Sequence, residues 1–203
     1  MKQIDTIIFD LGGVLIDWNP VYVFREVFEE EAEMHYFLTE VCSPEWNIQQ
    51  DAGRPLAEAT ELLVAQFPDY EPQIRTYYGQ WRNMLGGAIE ETVEILDALR
   101  NRKTHRLLAL TNWSHETFPT ALELFPFLHW FEGIVVSGEE KLIKPDPRIY
   151  ELLINRYDVK PQQAIFIDDN PHNVEGAKEA GLHAIRFESP QQLKVFLQTN
   201  QIL

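Results

Sequence analysis

Three short apolar runs along the chain share one design: each is nearly unbroken, and each stops at a polar residue. Ile4–Phe9 stops at Asp10, Arg106–Leu110 at Thr111, and Ala164–Ile167 at Asp168. A fourth run, Gly133–Val136, stops at Ser137. Runs of this length without period-two alternation are expected of strands covered on both faces, the signature of a parallel sheet. Helical periodicity fills the intervals, predicting helices at Glu90–Arg102, Ser114–Leu124, Asp146–Tyr157, Asn173–Ala180 and Pro190–Thr199. Asp146 and Ser114 are plausible helix starts, and Gly181 after Ala180 a plausible stop.

From Trp18 to Leu85 the pattern changes. No strand is evident there, and the apolar spacing is helical in pieces: Val21–Glu30, Ala32–Val41, Leu56–Gln66 and Gln73–Met84. Pro44, Gly53-Arg54-Pro55 and Pro68 punctuate these pieces, and Gly86-Gly87 marks a flexible return to the strand-and-helix pattern. The chain therefore reads as an α/β protein, a Rossmann-like parallel sheet core (residues 1–17 and 87–203) carrying an inserted all-helical cap (18–86). A length of 203 residues suits such a core with a small insert.

Composition narrows the function. Lys and Arg number 17 against 32 Asp and Glu, a net charge of -15. That balance argues against nucleic acid and anionic membranes as partners, because no excess of cations can displace phosphate counterions. Cys42 is the only cysteine, which excludes an intramolecular disulfide and a thiolate metal cluster. No apolar segment approaches membrane-spanning length and no secretory leader pattern is present, so a cytoplasmic protein, monomer or homodimer, is expected.

In open parallel sheets ligands bind beyond the carboxyl ends of the strands. The residues ending the apolar runs are thus read together: Asp10, Thr111-Asn112, Ser137 with Lys144 in the following loop, and Asp168-Asp169. Clustered carboxylates repel unless a cation joins them, and hard oxygen donors suit Mg²⁺. A lysine and the N–H groups at a helix start suit the oxygens of a phosphoryl group. A pocket locally positive in this way would admit a phosphorylated substrate to an acidic protein.

Phe9-Asp10-Leu11-Gly12-Gly13-Val14-Leu15 resembles the first motif of the haloacid dehalogenase-like superfamily. Leu110-Thr111-Asn112 is similar to its second motif, Lys144-Pro145 to its third, and Ile167-Asp168-Asp169-Asn170 to its fourth. All four occur in order, over essentially the whole chain, with the insert where the family's first type of helical cap lies. The resemblance implies a phosphatase acting on a small phosphorylated metabolite through an aspartyl-phosphate on Asp10. It implies Mg²⁺ held by Asp10, the Gly12 carbonyl and Asp169, with Asp168 a further ligand or an acceptor for metal-bound water. It also implies phosphate binding by Thr111, Asn112 and Lys144, with Lys144 neutralising charge on Asp10 and on the phosphate. Asn173 stands where the family often has a further Asp, and is expected to support Lys144 or the metal's surroundings.

One departure matters. The family's phosphatases usually carry a second Asp two residues after the nucleophile, a general acid worth roughly 10²–10⁴ in rate; here that position is Gly12. Four readings follow: a substrate with a better leaving group, such as a sugar 1-phosphate or acyl phosphate; a substitute acid from Asp17, His115, His172 or the cap; lost activity, leaving a phosphate- and metal-binding regulatory protein; or 2-haloacid dehalogenation. Asp168-Asp169 speaks against the last, since the family's dehalogenases work without metal. The branch with bacterial sugar-1-phosphate phosphatases likewise has Gly at this position.

Plainer readings stand beside these. A lone Asp after a strand is commonly a turn residue, and Glu29-Glu30-Glu31 is most simply a solvated helix face. The insert aromatics Trp18, Trp46, Tyr77, Tyr78 and Trp81 are expected to be cap core and cap–core interface; Trp113 is open between packing and lining the pocket. Gln50–Arg54, joining two cap helices, is where substrate specificity is sought.

Overall fold

A computed structural model describes residues 4–203; residues 1–3 of the expected core lie outside them. The strands are β1 (Thr6–Phe9), β2 (Ile16–Trp18), β3 (Leu85–Ala88), β4 (Arg106–Thr111), β5 (Gly133–Val136), β6 (Ala164–Asp168) and β7 (His183–Arg186). Five of them form one all-parallel sheet in the order β5-β4-β1-β6-β7. The chain builds outward from β1 to β5 on one side, then returns to lay β6 and β7 on the other. The strand order therefore reverses at β1, where a crevice opens at its carboxyl end.

Alternation along β1 explains why its run is unbroken. Ile7 and Phe9 enter one apolar cluster and Ile8 the other, on opposite faces of the sheet. The Ile8 face is covered by Ile149, Tyr150 and Leu153 of the helix Pro147–Arg156 and Ala177 of the helix Pro171–Glu179. The Phe9 face is covered by Ile95 and Leu99 of the helix Glu90–Arg102 and Leu193 and Leu197 of the helix Pro190–Thr199. This second cluster continues without a break into the helical insert through Phe24, Phe37 and Tyr77.

The insert differs from its sequence reading in three ways. β2 and β3 pair antiparallel at its two ends, with Asp17 opposite Gly87, so Gly86-Gly87 lie in a strand. A Cβ on Gly86 would overlap the Asp17 carboxylate and the Tyr22 ring, which is why glycine is needed there. The helix Pro44–Asp51 lies where sequence showed only punctuation: Pro44 occupies its first turn, and the Ser43 hydroxyl caps it by accepting from the Trp46 N–H at 3.3 Å. Gln50 and Asp51 are thus its last residues rather than loop. Finally, the expected helix Val21–Glu30 is α-helical only over Val21–Phe24, and Ala32–Val41 becomes the α-helix Glu31–Tyr36 followed by a π turn, Phe37–Val41.

In the core, the helix expected from Ser114 begins at Phe118, and β7 completes the sheet as an edge strand. No helix among the described residues is long and apolar enough to cross a membrane.

Candidate active site

β1 ends in the crevice, and its parallel ladder runs one residue on: the Asp10 N–H donates to the Ile167 carbonyl at 2.8 Å. This carries the Asp10 carboxylate to the level of Asp168 at the end of β6. Lys144 enters between them from the loop after β5. Its ammonium lies 2.9 Å from Asp10 Oδ1 and 2.7 Å from Asp168 Oδ2, and donates to the Leu110 carbonyl at 3.0 Å. The Lys144 side chain is fully buried, so the charge is held entirely by these partners.

Lys144 is itself positioned by Asn112. The Asn112 side chain accepts from the Lys144 N–H at 2.8 Å and donates to the Lys144 carbonyl at 3.0 Å, clamping that backbone from both sides. Asp168 is fully buried and saturated: besides Lys144 it accepts from the Asn170 N–H at 2.8 Å and from the Asn173 amide at 3.1 and 3.2 Å. Thr111 is buried at the end of β4. Ser137, read with the strand-end group, is spent elsewhere. It accepts from the Trp113 N–H at 2.9 Å and donates to the Asp51 carbonyl at 2.6 Å.

Electrostatics follow from this crowding. Burial, helped by the Asp168 charge and opposed by Lys144, pushes Asp10 up to about 8. Burial and Asp168 likewise raise Asp169. Burial disfavours the Lys144 ammonium, but the Asp10 and Asp168 charges outweigh it and its pKa is raised.

Asp10, Asp168 and Asp169 each bring a carboxylate oxygen within 4.8 Å of the others. Three acidic groups against one lysine leave uncompensated negative charge on hard oxygen donors, which fits a divalent cation of the Mg²⁺ type. The loop leaves it room: Gly13 has φ 73°, and a Cβ there would stand 2.7 Å from Asp169 Oδ2.

A cavity of about 370 Å³ opens over Asp10, Gly12 and Asp169. Its far wall is built by the insert residues Trp18, Asn47, Ile48, Asp51, Tyr78 and Trp81, facing Trp113 from the core. Trp113 thus both packs, edge-on to Trp81 with centroids 5.5 Å apart, and lines the cavity. Trp46 and Tyr77 pack against Tyr78 from behind, as cap core. Neither Asp17, His115 nor His172 lines the cavity. Asp51 does, and sequence singled it out only as part of the Gln50–Arg54 segment. Burial pushes it up to about 7, against the Ser114 backbone N–H and Lys144, which pull it down.

The chain is 27% identical over 186 residues to a phosphorylated carbohydrates phosphatase of Thermotoga maritima, covering 89% of this chain and 83% of that protein. An enzyme of the same superfamily from Bacteroides thetaiotaomicron, solved with magnesium and inorganic phosphate, shares the fold with a TM-score of 0.69 at 23% identity, over 91% of this chain and 94% of that one. An L-2-haloacid dehalogenase of Xanthobacter autotrophicus shares it with a TM-score of 0.64 at 17% identity, over 99% and 85%. The model of the haloacid dehalogenase-like hydrolases matches residues 4–181, and the chain belongs to that family of hydrolases.

Proposed function

We propose that this hydrolase is a Mg²⁺-dependent phosphatase that cleaves a small phosphorylated metabolite through an aspartyl-phosphate on Asp10. The observation that carries this reading is Lys144, buried and wedged at 2.9 and 2.7 Å between Asp10 and Asp168, beside the third carboxylate of Asp169. Mg²⁺ would be held by Asp10, the Gly12 carbonyl and Asp169; when bound it supplies positive charge that keeps the Asp10 carboxylate ionised and draws in the phosphate. Asp168 serves as a positioning group, since its carboxylate is taken up by donors from Lys144, Asn170 and Asn173.

Asp10 then attacks phosphorus, and Lys144 neutralises charge on the oxygens it reaches. Asn112 holds the Lys144 backbone in register for this, and Thr111 and Asn112 offer donors at the start of the following segment. Residues 18–86 act as a cap over a core of 1–17 and 87–203, excluding water from the cavity.

The cavity also speaks to the substrate. Among the described residues its lining contains the carboxylates of Asp10, Asp51 and Asp169 but no Lys or Arg. Arg54, the nearby cap cation, is spent on Gln50 Oε1 at 2.7 Å and the Trp46 carbonyl at 3.3 Å. The part of the substrate beyond the phosphate therefore carries no further negative charge, and the tryptophan walls suit the apolar face of a sugar ring, which supports a sugar 1-phosphate.

The deciding experiment is phosphate release from a panel of sugar, acyl and aryl phosphates with Mg²⁺ or with chelator. Mg²⁺-dependent release is expected. Halide release from a 2-haloacid in chelator, with no phosphate release, would replace this reading with dehalogenation. Phosphate binding without turnover would replace it with a regulatory role.

A further inference from the structure

We propose that Asp51, the last residue of the cap helix Pro44–Asp51, is the general acid and base of the reaction, replacing the carboxylate absent at Gly12. The inference rests on the phosphatase reading above. In cleavage of the substrate, Asp10 Oδ forms a bond to phosphorus while the phosphorus–oxygen ester bond breaks. The departing oxygen takes the Asp51 proton and leaves as an alcohol. In the second half, water attacks the phosphorus, gives a proton to the Asp51 carboxylate, and the bond to Asp10 breaks. Inorganic phosphate departs, and both aspartates are restored.

Three observations converge on this residue. First, the nucleophile has no proton donor beside it in the chain. Gly12 has no side chain, and a Cβ placed there would meet nothing within 4 Å. Secondly, Asp51 is the only carboxylic acid the insert contributes to the cavity that also contains Asp10, and the Lys144 ammonium is near enough to act on it. The other candidates are engaged or remote. Asp17 accepts from the Tyr22 hydroxyl at 2.5 Å under Gly86, while His115 and His172 are exposed outside the cavity. Tyr78 lines the cavity, but its hydroxyl donates to Asn47 and accepts from Gln50.

Thirdly, Asp51 is held at both ends: its carboxylate accepts from the Ser114 backbone N–H, and its backbone is tied to the core. The Ser137 hydroxyl donates to the Asp51 carbonyl at 2.6 Å, and a Cβ on Gly53, two residues on, would stand 3.0 Å from the Gly138 carbonyl. The cap is docked on the core at this point, so a proton carrier from the cap is held at a fixed height over Asp10. Its elevated pKa, about 7, lets it carry a proton at neutral pH and still release it.

The experiment compares wild type and Asp51→Asn on two substrates. 4-Nitrophenyl phosphate releases a phenolate that needs no proton; a simple alkyl or sugar phosphate releases an alkoxide that does. The expected result is a loss of roughly 10²–10⁴ in kcat/KM on the alkyl ester, with less than about a tenfold change in kcat/KM on the aryl ester and a burst of nitrophenol, because hydrolysis of the aspartyl-phosphate has lost its base. Gly12→Asp in the Asp51→Asn background should recover part of the alkyl activity. Equal losses in kcat/KM on both esters, with no burst, would overturn the role of Asp51 while leaving the phosphatase reading standing. A leaving-group series on wild type gives a second, variant-free check: a shallow dependence of kcat/KM on leaving-group basicity is expected, and a steep one overturns the proposal. No phosphate release by wild type from any ester would overturn the phosphatase reading itself, and this inference with it.

Discussion

The Ser137 hydroxyl, at the carboxyl end of a core strand, donates a 2.6 Å hydrogen bond to the backbone carbonyl of Asp51 at the end of a cap helix. The same oxygen accepts from the buried Trp113 N–H at 2.9 Å, so one hydroxyl ties the cap, the core and a cavity wall together. Replacing Ser137 by Ala orphans the buried Trp113 N–H, at a cost of about 1–3 kcal/mol before relaxation, and the part-buried Asp51 carbonyl, at less. The expected outcome is a lower midpoint in urea and a KM raised more than kcat falls, because the substrate-lining cap residues lose their seat. An unchanged KM with unchanged stability would show that the cap is seated by other contacts, such as the Glu116 carboxylate accepting from the Leu56 N–H at 2.8 Å.

Lys144→Met should be the most damaging single change. It leaves Asp10 and Asp168 close together and buried without their counter-ion, and breaking a buried pair from one side costs about 3–5 kcal/mol. Turnover should disappear. The stability deficit should shrink as pH falls, because protonating Asp10, already raised to about 8 by burial, removes one of the stranded charges. Chemical denaturation of the variant at several pH values reads this directly.

The parallel core and its strand-end chemistry were legible because they obey simple rules. β1, β4 and β6 are covered on both faces, so their apolar runs are unbroken, and each ends at a polar residue beneath or beside the crevice, Asp10 lining it directly. The missed elements break those rules. β7, His183–Arg186, is a half-buried edge strand with a polar residue at each end, and β3 contains Gly86 and Gly87, which read as a linker. The helix Pro44–Asp51 hid behind its polarity: Gln50 is fully buried, yet is satisfied by the Trp46 carbonyl and Tyr78 rather than by apolar neighbours. Asp51 could not be singled out from spacing, because it meets Asp10 only once this helix has folded over a sheet strand 41 positions earlier in the chain.

Mg²⁺ should raise the melting temperature of the protein on its own, without substrate. A ligand at 100 times its Kd adds about 2.7 kcal/mol to the folded state if it does not bind the unfolded chain. Asp169→Asn should erase most of this shift, since it removes the most accessible of the three carboxylates while sparing the Lys144 contacts. A Mg²⁺ shift undiminished in that variant would move the cation away from Asp169.

Gly86→Ala tests the hinge between cap and core. The new methyl would overlap the Asp17 carboxylate and the Tyr22 ring, which are joined by a 2.5 Å hydrogen bond. Relief requires β2 and β3 to separate or the Asp17–Tyr22 bond to break. A stability loss of about 1–3 kcal/mol is expected from such overpacking. Tyr22→Phe/Gly86→Ala should not restore it, because the ring remains; Asp17→Ala/Gly86→Ala should restore part. Equal behaviour of the two double variants in thermal unfolding would show that the carboxylate is not the obstacle.

The pH dependence of stability isolates Asp51. In the unfolded chain its carboxyl titrates at the ordinary value of 3.8; burial raises the folded value to about 7, against the pull of Lys144 and the Ser114 N–H. Between those limits the folded state binds the proton that the unfolded chain releases. Its contribution is therefore fully present below about pH 4 and is lost as pH rises through about 7. Asp51→Asn cannot titrate and loses nothing over that range. The stability of the variant relative to wild type should thus climb from about pH 4 to about pH 7 and level off above it, while groups that titrate alike in both proteins cancel from the difference. Paired urea titrations at about pH 5 and about pH 8 suffice to see it. A difference that stays flat would mean that the carboxyl is well solvated in the folded protein, and the cap would then sit further from the cavity than its lining residues place it.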